Sequence, residues 1–247
     1  MKAVILAAGY ATRMYPLTEN FPKPLLEVGG RPILDWLIDD LSASGLVDGI
    51  VVVSNHRFVG HFRDWAARQG APVAVVDDGT TSNEKRLGAV EDIRFALEAG
   101  DVRGDVLVAA GDNVLDFSLA PFMRFGLESG CSCVMCHRED DPARQRRTAI
   151  VTLDGEGVIT SFEEKPENPK GNLAVPPFYY YRAEDARRIP EALAAGCAPD
   201  APGHFAAWLS ARTPMKAWPM PGRRYDIGNP ESYARIRAAY RGIVPRG

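Results

Sequence analysis

Cysteine is scarce in this chain, at 4 of 247 residues, which excludes the disulfide framework of a small secreted domain. No apolar run approaches the ~18 residues that a membrane-crossing helix requires. The early run Ala3-Val-Ile-Leu-Ala-Ala8 meets Gly9 at once and is too short for a secretory signal. An excess of one charge is lacking too, since 29 basic against 32 acidic residues leave −3. Nucleic-acid-binding domains are usually strongly basic, so neither nucleic acid nor membrane is an expected partner. Both G-x-x-x-x-G-K-[ST] and G-x-G-x-x-G are missing, which removes the mononucleotide P-loop and the dinucleotide fingerprint. No internal repeat, low-complexity tract or long linker is visible. What remains is a globular enzyme, expected in the cytoplasm, with enough chain for a substantial core.

The pattern that is present alternates strands with helices. Val4–Ala8, Ile50–Val53, Val73–Val76 and Val106–Ala110 are continuously apolar, as in parallel strands covered on both faces. Between them, Pro32–Ser44 sets Ile33, Leu34, Leu37 and Leu41 on one helical face, with proline at its start and Gly45 after its end. Arg86–Ala99 does the same with Leu87, Val90, Ile93 and Leu97 before Gly100. Arg57–Gln69 is a weaker helix. This spacing predicts an α/β fold with a Rossmann-like, mostly parallel sheet. Beyond Asp112 a helix near 118–129 precedes shorter strands at 131–138, 148–153, 157–163 and 173–182. Helices return near 183–195, 203–212 and 230–241.

The strongest local signal is Leu6-Ala-Ala-Gly9-Tyr-Ala-Thr12-Arg13-Met-Tyr-Pro16-Leu-Thr18, followed by Pro22-Lys23-Pro24-Leu-Leu26. A strand ends in small residues and a glycine, so backbone N–H groups are open to an anion. Arg13 offers phosphate oxygens a planar fork and Lys23 a compact charge. Prolines 16, 22 and 24 stiffen the intervening loop.

This segment resembles the signature of the nucleotidylyltransferases that join nucleoside triphosphates to sugar phosphates: a strand, L-A-A-G-x-[GA]-T-R, then P-K-P-L-L. The thymidylyl-, uridylyl- and cytidylyltransferases acting on sugar 1-phosphates are the members it looks most like. Ala11 stands where a second glycine is usual. The resemblance implies a three-layer α/β sandwich with a mixed, mostly parallel sheet. It also implies a single catalytic domain over 1–247. Residues 1–112 would bind the nucleotide, 113–222 the sugar phosphate, and 223–247 would add a second metal aspartate and a last helix.

Leu6, Ala8, Gly9 and Thr12 are then nucleotide-binding residues, and Arg13 and Lys23 catalytic. Gly88, and Asn83 beside it, fall where the family reads the base, although Ser82 or Asn83 would equally cap the following helix. Gly111-Asp112-Asn113 ends a buried strand with a carboxylate, where open α/β sheets bind ligands. It resembles the G-D motif whose aspartate holds Mg²⁺. Tyr225-Asp226-Ile-Gly228 resembles the later D-x-G element, making Asp226 the second Mg²⁺ ligand; as a plain sequence it is also a turn before a helix. Two carboxylates plus phosphate oxygens suit Mg²⁺. Phe162-Glu163-Glu164-Lys165-Pro166 resembles F-x-E-K-P, which assigns Glu164 and Lys165, with Asn113, to the sugar phosphate.

The implied reaction couples an NTP, with the pyrimidines dTTP, UTP and CTP favoured, to a sugar 1-phosphate or related phosphorylated polyol. Asp112→Ala is expected to abolish it and leave the fold intact. A non-catalytic sensing subunit on the same fold, or GTP use with a cyclitol phosphate, is the alternative. Members of the family associate, so a homo-oligomer is an expected partner state. No acyltransferase or regulatory β-helix is expected after the last helix. Pro176-Pro177 departs from the small residue and glycine usual beneath the sugar and removes two backbone donors. Cys131-Ser-Cys133-Val-Met-Cys136-His137 contains C-x-x-C-H, but the alternation of a core strand accounts for it.

Overall fold

The computed structural model describes residues 1–243; the last four positions of the segment 223–247 lie outside the described residues. Fourteen strands are described: β1 Lys2–Leu6, β2 Glu27–Val28, β3 Arg31–Pro32, β4 Gly49–Ser54, β5 Val73–Asp77, β6 Val106–Ala110, β7 Asn113–Leu115, β8 Ser132–Arg138, β9 Ala149–Leu153, β10 Ile159–Glu164, β11 Leu173–Val175, β12 Phe178–Tyr181, β13 Met215–Pro219 and β14 Arg224–Asp226. The central sheet runs β10-β9-β11-β8-β12-β6-β1-β4-β5, with β13 alongside β8. β1 pairs in parallel with β4 and β6, and β4 with β5. β12 meets β6 and β8 antiparallel, and β8, β9, β10 and β11 continue that sense. The sheet is mixed as expected. It is parallel where a helix fills each connection and antiparallel where connections shorten, because a parallel crossover needs a dozen or more residues.

Helices α1 (Ile33–Ala43) and α2 (Val59–Ala66) cover one face, together with Ala120–Ser129. Leu34, Leu37, Leu41, Phe62, Trp65 and Phe122 pack there on Ala3, Ile5 and Leu107. α3 (Ala89–Ala99) covers the other face with Ile189–Ala194 and Pro202–Ser210. Val90, Ile93, Ile189, Phe205 and Leu209 meet Val4, Val51 and Val108 there. Successive strand residues point to opposite faces, so Ala3 and Ile5 enter one core and Val4 the other. Both cores are apolar, and that is why these runs are continuous rather than alternating. Each fully buried leucine or phenylalanine contributes about 1.5–3 kcal/mol.

Four local departures from the sequence expectations have physical causes. The strand expected at 173–182 is split, since neither Pro176 nor Pro177 can donate to a ladder. The helix expected at 183–195 is two, Ala183–Ala186 and Ile189–Ala194, because Pro190 must occupy a first turn. The helix expected from Arg86 starts at Ala89 after Gly88, whose φ of +98° no helical residue can hold. Neither Ser82 nor Asn83 caps it, and Asn83–Lys85 instead form a short 3-10 turn. Strands β7, β13 and β14 were not expected; Lys216, Pro219 and Arg224 interrupt the apolar pattern that would mark them.

The decoy cysteines are core. Cys133 and Cys136 are buried on opposite faces of β8, all four cysteines are free, and burial pushes the Cys133 and Cys136 thiols up to about 11. No helix of the described residues is long and apolar enough to cross a membrane.

Candidate active site

β1, β4, β5 and β6 run parallel, so Leu6, Ser54, Asp77 and Ala110 end at one edge of the sheet. A cleft of about 750 Å³ opens there. Every residue that the sequence assigned to a site lines it: Leu6, Ala8, Gly9, Thr12, Arg13 and Lys23 from the first loop, Asn83 and Gly88 before α3, Asp112 and Asn113 after β6, Glu164 and Lys165 at the end of β10, and Asp226 at the end of β14.

The first loop is tied from beneath. The fully buried Asn55 side chain donates to the Ala8 carbonyl at 2.9 Å and accepts from the Phe58 N–H. Tyr10 donates to the Thr80 carbonyl at 2.9 Å, and Thr18 to the Ala11 carbonyl at 2.9 Å. Gly9 itself is open, with nothing within 4 Å of where a Cβ would stand. No packing demands a glycine there. Ala11 sits at φ +47°, ψ +40°. A glycine takes that left-handed conformation freely, whereas alanine carries ~1–2 kcal/mol of strain. Arg13 is exposed and forms no ion pair among the described residues.

Gly88 is explained by the fold alone. Besides its φ of +98°, a Cβ would meet the Pro199 carbonyl oxygen at 2.5 Å. Asn83 faces the cleft with its carbonyl and side-chain oxygens both held by Arg86, at 3.1 and 3.2 Å.

Four polar side chains form a continuous chain across the floor. Lys23 donates to Asp112 Oδ2 at 2.7 Å, Asn113 to Asp112 Oδ1 at 2.7 Å, and Arg224 to Asn113 Oδ1 at 2.7 Å. Asn113 is 5% exposed, so its amide is spent on positioning Asp112 and Arg224. The antiparallel pairing of β14 with β7 sets Asp226 opposite Asn113, and Asp112 and Asp226 line the same cleft. Among the described residues no group of three or more His, Cys, Asp or Glu could hold a metal. The Asp112–Asp226 pair offers two hard oxygen donors at the rim of an anion-ready cleft, a set that fits Mg²⁺ sharing its remaining positions with phosphate.

On the far wall Glu164 is half-buried against Gly203, where any Cβ would overlap its carboxylate. Burial raises its pKa, with Lys165 and His204 pulling the other way. Lys165 is exposed at φ +47°. A left-handed lysine stores strain of the kind that collects at binding sites. Pro177 and Tyr179 complete this wall. Tyr179, Tyr180 and Tyr181 are all buried in β12, so plain strand alternation accounts for Tyr180 and Tyr181, and only Tyr179 reaches the cleft.

Sequence reasoning missed Arg147, Arg224 and Asp92, all of which line the cleft. Asp92 is 8% exposed, with Oδ1 buried and unpartnered. Burial, then the nearby Asp78 and Glu91 charges, raise its pKa to about 7. The unfolded chain ionises this group near pH 4 and the folded chain only near 7. The folded state therefore binds the extra proton between those values, and stability falls as pH rises through that window. Asp92→Asn is expected to raise Tm more at pH 8 than at pH 5, by several degrees at ~2–4 °C per kcal/mol. Thermal melts of both proteins at the two pH values check this.

Comparison with known proteins bears on the same cleft. The family model for nucleotidyl transferases matches residues 2–242. A UTP–glucose-1-phosphate uridylyltransferase of Haloferax volcanii is 30% identical over 183 residues, 73% of this chain and 72% of that one. A Sulfolobus acidocaldarius protein, provisionally named a mannose-1-phosphate guanyltransferase, is 28% identical over 240 residues, 96% of this chain; the chain spans 62% of its length. The solved UDP-glucose pyrophosphorylase with UDP-glucose has a TM-score of 0.81 at 21% identity, covering 97% of each chain, a likeness of fold alone.

Proposed function

The chain belongs to the nucleotidyl transferase family, and from that membership we propose that it couples a pyrimidine NTP to a sugar 1-phosphate or related phosphorylated polyol. A phosphate oxygen of the acceptor attacks the α-phosphorus, the bond to the bridging β-phosphate oxygen breaks, and pyrophosphate leaves. The nucleophile is already an anion, so no general base is needed. Catalysis reduces to positioning and charge neutralisation.

Residues 1–112 hold the nucleotide in this reading. The open backbone at Ala8 and Gly9 faces the triphosphate, with Thr12 and Leu6 beside it and Gly88 and Asn83 toward the base. Arg13 and Lys23 neutralise the triphosphate and the departing pyrophosphate. Residues 113–222 hold the acceptor, with Lys165 on its phosphate and Glu164 accepting from its hydroxyls. Asp112 and Asp226 would hold Mg²⁺, which when bound withdraws charge from the α-phosphate. Asn113, assigned to the acceptor from sequence, we reassign to orienting Asp112, because both of its amide atoms are already engaged.

The observation that carries this reading is the β7–β14 register. It sets Asp226 opposite Asn113, the residue after Asp112, and it supports the reading because both aspartates line the cleft with Gly9, Arg13, Lys23 and Lys165. Pyrophosphate release in Mg²⁺, across five NTPs and a panel of phosphorylated sugars and cyclitols, tests it. One active pair establishes the reaction; tight nucleotide binding without turnover points to an acceptor outside the panel, and no nucleotide binding counts against the whole reading. Gly9→Ala is expected to keep the wild-type Tm, since the new Cβ meets nothing, and to weaken NTP binding about tenfold or more by standing where phosphate approaches the backbone. Isothermal titration beside a thermal melt separates the two effects.

A further inference from the structure

Asp92 has no role in the reaction above, and the fold gives it none. Among the described residues no hydrogen bond or ion pair engages its side chain, and its Oδ1 is buried without a partner. A carboxyl taken from water without a donor is costly to bury. This one nevertheless lines the cleft, alongside Asn83, Gly88 and Ala89.

Its direction follows from the helix. The Asp92 N–H donates to the Gly88 carbonyl at 2.9 Å, so Asp92 stands one turn above Gly88 in α3. Helical side chains lean back toward the N-terminus, which carries the carboxyl over the Gly88 end of the cleft. The Asp78 carboxyl is close enough to act on it, and Asp78 Oδ2 is also buried without a partner. Arg86 also lines this corner, but its guanidinium is turned onto Asn83, so Asp92 is left as an acceptor facing the cleft. A ligand seated there must present N–H donors.

Nucleobases divide on this point. Cytosine, adenine and guanine carry an exocyclic amino group whose N–H a carboxyl oxygen accepts, as aspartate does from the cytosine amino group. Uracil and thymine offer one N3–H between two carbonyl oxygens, whose lone pairs face the carboxyl and repel it. We propose that Asp92 reads the exocyclic amino group of the base, so that CTP is taken among the pyrimidine nucleotides while UTP and dTTP are rejected. The proposal rests on the nucleotidyl-transfer reading of this cleft and names the base for it.

Equilibrium binding of CTP, UTP, dTTP, ATP and GTP in Mg²⁺ to the whole chain, at about pH 8.5 where the Asp92 carboxyl is ionised and only accepts hydrogen bonds, tests this without knowledge of the acceptor substrate. Wild type is expected to bind CTP at least about tenfold more tightly than UTP, which differs at the 4-position and in the N3 proton. Asp92→Leu, similar in size and lacking any acceptor, is expected to lose that advantage by weakening CTP. Asp92→Asn, whose amide both donates and accepts, is expected to gain UTP binding. Thermal melts establish that both variants fold. Tightest binding by ATP or GTP, lost in Asp92→Leu, keeps the amino-group contact and replaces cytosine with that purine. Equal binding of UTP and CTP by wild type, or a uniform loss across all five nucleotides in Asp92→Leu, overturns the proposal, the latter pointing to a sugar or phosphate contact. Failure of every NTP to bind overturns the underlying transferase reading instead.

Discussion

Asp112→Asn is expected to lower nucleotidyl transfer in Mg²⁺ by about 10³-fold or more, the scale seen when a group aimed at developing charge is removed from a preorganised site. The substitution keeps the shape and leaves one oxygen for hydrogen bonding while removing the charge that Mg²⁺ needs. It is a cleaner test than alanine, for a reason invisible in sequence. Lys23 has only 8% of its side chain exposed and lies 2.7 Å from Asp112. Alanine at 112 strands that ammonium and deprives Asn113 of its acceptor. The expectation that Asp112→Ala leaves the fold intact therefore gives way to a predicted loss of roughly 1–3 kcal/mol, moderated by water entering on the cleft side. Steady-state turnover with the active NTP and acceptor, beside a thermal melt, reads both effects. Wild-type-like turnover by Asp112→Asn would falsify the metal assignment.

Arg13→Ala is expected to reduce kcat/KM by about 10²–10³-fold with no change in Tm. On the proposed reading the loss is that of a guanidinium, lining the cleft, that would hold phosphate oxygens. Stability should not move, because Arg13 is exposed and has no ion pair to lose among the described residues. Arg13→Lys should recover only part of the activity, since an ammonium lacks the planar fork that spans two oxygens. A drop in Tm comparable to that of a core substitution would show Arg13 to be structural.

The parallel half of the sheet was legible because its strands are buried on both faces and read as unbroken apolar runs. The anion loop was legible because small residues, a glycine and two cations stand together in sequence. The later half was harder. β14 is Arg-Tyr-Asp and becomes a strand only by pairing with β7, a long-range partner that no local periodicity announces. Asp92 was missed for a related reason. In sequence it is one more acidic residue near a helix start, where carboxylates are ordinary. Its burial comes from the tertiary surroundings of α3 at the cleft, which no local pattern announces. Gly88 was singled out for a base contact, and the close approach of Pro199 gives it a structural reason that the motif could not supply.

The pairing of β7 with β14 also makes the cleft depend on the whole length of the chain. The first loop is held by Asn55 and Thr80, and Asp226 joins the cleft only through a strand pairing that reaches across the 113 positions between it and Asp112. On the proposed reading, a chain cut short before β14 would lack the second metal aspartate together with the strand that holds it in the cleft.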